Sequence, residues 1–252
     1  MALINIKFFS DTLGRQTDIN VIIPQRTARG EIGIKNVGAD GKYKTLLLLH
    51  GLSDDCTIWA RRTSIERYAT EHGIAVVMPS AERSFYTDMR YGDRFYTYIS
   101  KEVLKVARDF LPLSERREDN FVAGNSMGGY GALKIALKNP ECFSAAAGLS
   151  SVADIKLFMT KHRPALRELI YGDSIADSED LFALATEHST DSVKARIYTC
   201  VGKDDFMYEE NLRLKKHFES LDYDYTYDDG EGTHEWGYWD KNIKPILDWM
   251  LK

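Results

Sequence analysis

The stretch FVAGNSMGGYGALKIAL, residues 121–137, changes character at a single corner. Phe121, Val122 and Ala123 read as a strand buried on both faces. Beyond the corner, Tyr130, Leu133 and Leu137 fall three and four residues apart, the spacing of a helix. Between them lies Gly124-Asn125-Ser126-Met127-Gly128, with no room for a loop. A turn this tight presses strand against helix, so the residues two before and two after its apex must lack bulk. Gly124 and Gly128 meet that demand. The apex, Ser126, is then held in a strained backbone conformation with its hydroxyl clear of the sheet. It also lies beside the first amides of the helix, which favour negative charge. Two other readings compete: a serine that caps the helix, and a loop that cradles phosphate. The stretch has neither GxxxxGK[ST] nor GxGxxG phasing. Its position between a buried strand and a helix favours a nucleophile.

The same alternation extends outward. TLLLLHG (45–51) and IAVVMPS (74–80) precede the corner as buried strands. AAAGLSS (145–151), RIYTCVG (196–202) and DYDYTYDD (222–229) follow it. Helical patterns separate them: one near 56–72, a long amphipathic one in RFYTYISKEVLKVARDFL (94–111), then GGYGALKIALKNP, NLRLKKHFESL and a closing NIKPILDWMLK (242–252). In the long one, Phe95, Ile99, Val103, Val106 and Phe110 form the apolar stripe. INIKFFSDTL and DINVIIPQ read as two strands joined by a turn at Gly14-Arg15, and residues 26–44 as a surface loop. Such alternation predicts an α/β protein with a mostly parallel sheet covered on both faces. Residues 152–194 break the rhythm with short helices and loops. They are expected to form a small cap above the carboxyl ends of the strands, within one domain spanning 1–252.

Bulk properties narrow the function. The chain has 252 residues, 44% hydrophobic and 28% charged, with a net charge of −5. That balance opposes nucleic-acid binding and anionic membranes, which need a cationic footprint. No apolar run is long enough to span a bilayer. The first residues lack the pattern of a signal peptide, and three cysteines without a CxxC pair fit a reducing cytoplasm. Cys142 and Cys200 read as small hydrophobes. The six histidines show no HExxH and no cluster with cysteine, so neither metal nor organic cofactor is expected. The charge is compatible with a monomer or a homodimer.

A serine hydroxyl needs a base. Around a Gly-x-Ser-x-Gly elbow the partners follow in the order acid, then histidine. His162 and His188 lie in the expected cap and His217 on a helix beside two lysines, so each reads as surface or packing. His50 reads as structural. His234, in GEGTHEWGYW after the last strand, has glycines around it and stands where the base is needed; Trp236 and Trp239 read as packing. The carboxylate should follow RIYTCVG, where Asp204 and Asp205 are adjacent, and spacing does not choose between them. Two amides should hold an oxyanion: that of Met127, after the nucleophile, and that of Leu52, in the loop after the first buried strand.

HGLSDD, SFYTDM, GNSMGGYGA, GKDDFMYEEN and GTHEWGYW, in this order, resemble the esterase D / S-formylglutathione hydrolase superfamily of α/β-hydrolases, most of all its bacterial tributyrin-esterase branch. The resemblance runs from about residue 5 to 250. It implies an α/β-hydrolase fold and a serine carboxylesterase that acts on a small-molecule ester. Short acyl groups, acetyl to butyryl, and acetyl or feruloyl esters of plant carbohydrate are the implied substrates. Ser126 matches the nucleophile and His234 the base. Asp205, before the phenylalanine of Gly-x-x-Asp-Phe, matches the acid, and Leu52 and Met127 match the oxyanion amides. Trp59 and the Tyr86-Thr87-Asp88 run match positions near the pocket. The resemblance also carries an alternative, S-formylglutathione hydrolysis. Where glutathione thioester hydrolases tend to have Thr-Cys, this chain has Asp54-Asp55-Cys56, which weakens that alternative.

Overall fold

The structure is a computed structural model that describes residues 1–25 and 41–252. Most of the segment read as a surface loop, residues 26–40, lies outside the described residues. Among them, eight strands form one sheet in the order β1-β2-β4-β3-β5-β6-β7-β8. They are β1 Ala2–Ser10, β2 Arg15–Ile23, β3 Thr45–Leu49, β4 Ala75–Pro79, β5 Asn120–Asn125, β6 Ala145–Leu149, β7 Arg196–Gly202 and β8 Tyr225–Gly230. β1 pairs antiparallel with β2, and β2 with β4. From β4 onward every pairing is parallel.

The helices are α1 Ile58–Arg62, α2 Ile65–His72, α3 Phe95–Thr97, α4 Val103–Phe110, α5 Met127–Lys138, α6 Ile155–His162, α7 Pro164–Tyr171, α8 Leu181–Glu187, α9 Tyr208–Glu219 and α10 Trp236–Met250. They cover both faces of the sheet, and this is why the central strands are apolar without interruption. Along β3, Leu47 and Leu49 enter one core and Leu46 and Leu48 the other; Val77 and Val76 of β4 divide in the same way. The first core is closed by α4, α5 and α9, the second by α1, α2 and α10. None of the described helices is long and apolar enough to cross a membrane.

Two helices depart from the sequence reading. The long helix near 94–111 contains one wide turn of π-helix, Tyr98–Glu102, between α3 and α4. The extra residue shifts the phase, so the buried row runs Phe95, Ile99, Val103, Ala107, and Phe110 is left 66% exposed. At the end of this turn the Glu102 carboxylate accepts from Ser10 Oγ (2.7 Å) and Asp11 N (2.8 Å), which ties it to the β1–β2 turn. The closing helix α10 begins six residues before the expected Asn242. The Glu235 side chain accepts from the amides of Gly237 and Tyr238 at 2.8 and 3.0 Å and so caps a helix that starts at Trp236.

Residues 152–194 contain α6, α7, a short 3₁₀ turn Asp177–Glu179 and α8. They are fastened to α5 by an unusual device. Lys134, with a fully buried side chain, reaches Glu179 Oε2 at 2.6 Å and Thr87 Oγ1 at 2.8 Å. Tyr130 Oη donates to the Glu179 carbonyl at 2.6 Å. Burial pulls the Lys134 ammonium down to about 8 despite its partner. Burial also opposes ionisation of Glu179, yet the charge and hydrogen bond of Lys134 hold its pKa below the usual carboxylate value. Lys134 therefore bears the cost of desolvation, and among the described residues neither charge has an oppositely charged partner as close.

Glu179→Gln leaves Lys134 buried without a counter-charge and is expected to cost about 3 kcal/mol in urea denaturation at pH 7. The depressed pKa of Glu179 gives stability that is present at neutral pH and lost as pH falls through its folded value. The variant should therefore show a shallower loss of stability below about pH 4.5 than the parent. Equal stability and parallel acid limbs would remove the pair from this role.

Candidate active site

Ser126 follows β5, which lies between β3 and β6 in the sheet, and directly precedes α5. Its backbone sits at φ 54°, ψ −116°, a region that L-residues rarely enter. Neighbouring backbone holds it there. Ser126 N donates to Leu149 O at 2.8 Å, and Ser126 O accepts from Tyr130 N (3.1 Å) and Val152 N (3.3 Å). The flanking glycines are sterically required. A Cβ on Gly124 would lie 2.8 Å from Leu49 O as well as striking the Gly128 carbonyl, and one on Gly128 would lie 2.7 Å from His50 O. The side chain makes no capping hydrogen bond to α5, so the helix-cap reading of this serine does not hold.

The hydroxyl instead faces His234, with Oγ 3.0 Å from Nε2. On the other side of the ring, Nδ1 lies 2.9 Å from Asp205 Oδ2. A carboxylate can only accept, so Nδ1 carries the proton and Nε2 is left to accept from the serine. Asp205 is buried, and its Oδ1 accepts from Met207 N at 2.9 Å. Asp204 points to solvent; its amide donates to Gly232 O at 3.0 Å. That bond and Lys203 N to Gly230 O at 2.8 Å lace together the loops that carry Asp205 and His234. Phe206 and Trp239 clasp the imidazole, each with its ring centroid 4.9 Å away, and Trp239 Nε1 is anchored on Ser150 Oγ at 3.2 Å.

Met127 opens α5, so its N–H has no partner within the helix. Its side chain is buried in the first core, while Leu52 lines a cavity beside Ser126. Among the described residues the Leu52 N–H meets no acceptor. The cavity measures about 680 Å³. One wall, formed by Phe85, Val152 and Phe158, continues the first core, and Trp239 on the other side belongs to the second, with Trp236 packed against it. Asp54 and Arg62 lie at the cavity as well. Burial raises the pKa of Asp54, the charge of Asp55 adds to this, and Arg62 offsets part of it.

Three residues expected at the pocket are elsewhere. Trp59 is buried in the second core, where Nε1 donates to Leu49 O at 3.0 Å and the ring meets Trp236 edge-on at 5.2 Å. It backs a cavity residue without lining the cavity. Tyr86 is fully buried and donates to His50 O at 2.9 Å. Asp88 is exposed and accepts from the Thr97 amide (2.9 Å) and hydroxyl (2.6 Å), outside the cavity lining. Phe85, next to Tyr86 in the same loop, and Trp236, whose ring meets that of Trp59, line the cavity instead. The lining also includes Asn125, whose buried amide has no hydrogen-bond partner among the described residues, along with Phe158, Arg163, Phe206 and Glu235. Asn125, Phe206 and Glu235 are chain neighbours of the three central residues, and adjacency alone could have flagged them. Phe158 and Arg163 carried no signal beyond their place in the insertion. Trp236 and Trp239, read as packing, both pack and line the cavity.

Comparison with known proteins identifies the family. Residues 10–250 match the family described as "Putative esterase". An acetyl esterase of Caldicellulosiruptor saccharolyticus is 31% identical over 265 residues, covering 100% of this chain and 99% of that protein. The substrate-bound structure of FphF, a fluorophosphonate-binding serine hydrolase of Staphylococcus aureus, superposes with a TM-score of 0.90 at 36% identity, covering 100% of this chain and 98% of the other. The S-formylglutathione hydrolase FrmB of the same organism gives 0.86 at 35% identity, covering 100% and 99%. The chain thus belongs to this esterase family, within the esterase D / S-formylglutathione hydrolase superfamily, and is a serine-dependent carboxylic ester hydrolase with the α/β-hydrolase fold.

Proposed function

We propose that the protein hydrolyses short-chain acyl esters, acetyl to butyryl, through an acyl-Ser126 intermediate. The observation that carries this is the unbroken hydrogen-bonded line Ser126–His234–Asp205, whose orientation leaves Nε2 free to take the serine proton. Ser126 Oγ attacks the ester carbonyl as His234 accepts its proton. The amides of Leu52 and Met127 receive the oxyanion, each contributing about 3 kcal/mol to the transition state. His234 then gives the proton to the departing alcohol. In the second half it deprotonates water, which releases the acid. Asp205 holds the tautomer and stabilises the imidazolium. Every proton moves between groups of this chain, the substrate and water.

The acyl limit is assigned to the wall of Phe85, Val152 and Phe158. Phe85 and Phe158 contact each other at 5.9 Å between centroids, across the loop after β4 and the insertion 152–194, which acts as a cap. The aromatic residues Phe206, Trp236 and Trp239 offer a surface to a phenolic or sugar moiety, which supports acetyl or feruloyl esters of plant carbohydrate as the natural class. Full-length similarity to FrmB supports S-formylglutathione as a second reading. Cys56 contributes nothing to it from its position, since it is buried with Sγ 3.8 Å from Asp18 and does not line the cavity.

Ser126→Ala should abolish turnover of p-nitrophenyl acetate and retain the fold by circular dichroism; substantial residual hydrolysis would take Ser126 out of the mechanism. Asp205→Asn should lower kcat on the order of 10⁴-fold, whereas Asp204→Asn should change it less than about twofold, so comparable losses in both variants would contradict the assignment. Phe158→Ala should raise the kcat/KM ratio of p-nitrophenyl octanoate to acetate about tenfold, because a ring that closes the acyl wall is removed. An unchanged ratio would place the limit elsewhere. Parallel kcat/KM measurements on p-nitrophenyl acetate, methyl ferulate and S-formylglutathione separate the ester and thioester readings.

A further inference from the structure

Two buried groups beside the site have no part in the steps above. Tyr86 is fully buried at φ 52°, and its ring occupies the place that a Cβ on Gly131 of α5 would need, 2.6 Å from Tyr86 Cγ. From there its hydroxyl reaches under the loop after β3 and donates to the carbonyl of His50 at 2.9 Å. His50, also buried, completes the arrangement. Its Nε2 accepts from Ala81 N at 2.9 Å, so the ring proton is on Nδ1, which donates to the carbonyl of Gly51 at 2.7 Å. Burial lowers the pKa of this imidazole and raises that of the phenol well above normal. Both groups therefore keep these donor roles across the neutral range.

The consequence follows from peptide planarity. Gly51 C=O and Leu52 N–H belong to one planar trans unit and point in opposite directions. A hydrogen bond that fixes the carbonyl thus aims the amide. The next peptide upstream is fixed in the same way, since Tyr86 holds His50 O. A Cβ on Gly51 would lie 3.0 Å from Asn125 Nδ2 and 3.2 Å from Asp54 Oδ2, so side chains also crowd the loop from that direction. Leu52 itself is followed by Ser53 at φ 70°, a conformation that needs such support.

We propose that Tyr86 and His50 are positioning residues for ester hydrolysis: by clamping the carbonyls of His50 and Gly51 they aim the Leu52 N–H at the oxyanion. Neither residue touches the substrate. The inference rests on the proposed reading of Ser126 as nucleophile and of Leu52 as an oxyanion donor. It also explains why a tyrosine two residues before Asp88 is buried beside the site without lining the cavity.

The test is a change in kcat without a matching change in KM. Tyr86→Phe keeps the ring in its slot and removes only the hydroxyl. Normalised to serine titrated with a fluorophosphonate, kcat on p-nitrophenyl acetate should fall about tenfold while KM stays within about twofold. Inhibition by a trifluoromethyl ketone, which binds as an oxyanion, should weaken by a similar factor. His50→Asn retains an N–H at the δ position to hold Gly51 O and should keep most of kcat; His50→Leu, without a donor, should lose it. If Tyr86→Phe does not fold, the His50 pair carries the test. A lower melting temperature with unchanged kcat per titrated serine, a rise in KM alone, or equal losses in His50→Asn and His50→Leu would overturn the proposal. A parent protein inactive on every ester, or one indifferent to Ser126→Ala, would instead overturn the reading on which it rests.

Discussion

The geometry of this molecule depends on how closely α5 approaches β3 behind Ser126. At Gly128 the helix backbone lies so near the carbonyls of Leu49 and His50 that no side-chain atom fits between them. That approach forces the chain to reverse within one residue, and the reversal places Ser126 at positive φ with its hydroxyl projecting outward. Such a conformation costs of order 1–3 kcal/mol, and three backbone hydrogen bonds to Ser126 oppose its relaxation. Strain of this kind recurs. Among the described residues, all six non-glycine residues at left-handed φ (Ser53, Glu82, Phe85, Tyr86, Ser126 and Ser150) lie in the loops after β3, β4, β5 and β6. Among the described residues, no non-glycine residue at the amino ends of the same strands has such a φ. The cost is concentrated where side chains and amides must converge.

Convergence also needs the late loops to be held in register. Asp205 and His234 are 29 residues apart, but β7 and β8 are paired through Gly202↔Gly230, and two further amide bonds continue that pairing into the loops. Gly202 lies against Gly232 with no room for a Cβ. The carboxylate and imidazole are therefore attached to what is in effect an extension of the sheet. Sites built on rigid elements keep a constellation within a fraction of an ångström, and loops alone do not.

This division explains what could be read from the sequence. The central residues were legible because each is demanded by a local constraint that leaves a trace: a glycine two residues either side of Ser126, a histidine between small residues after the last strand, and aspartates after RIYTCVG. Spacing alone did not choose between Asp204 and Asp205, since one turn of the chain separates a buried carboxylate from an exposed one. The alternation of buried strands and helices was equally legible, because two-sided burial requires uninterrupted apolar runs. Trp59 and Tyr86 match pocket motifs yet are buried without lining the cavity, and Asp88 is exposed and bonded to Thr97. A motif records that residues are needed together, not whether they face the ligand or support what does. The π turn in the helix before β5 and the early start of α10 depend on where individual carboxylates, Glu102 and Glu235, find partners, and periodicity is blind to that.

The cavity walls follow a different logic from the reacting groups. Phe85, Val152 and Phe158 extend the core on one face of the sheet, and Trp239 belongs to the core on the other. Repacking one wall need not disturb the other, since the sheet lies between the two cores. The insertion after β6 contributes Phe158 to the first wall, and its attachment through Glu179 and Lys134 ends on α5 rather than on the loops of Asp205 or His234. A buried ion pair adds little net stability over an apolar contact, but it accepts few alternative partners. It thus fixes the insertion in one seating on the nucleophile helix, so that the shape of the acyl wall is referred to the same backbone that positions Ser126.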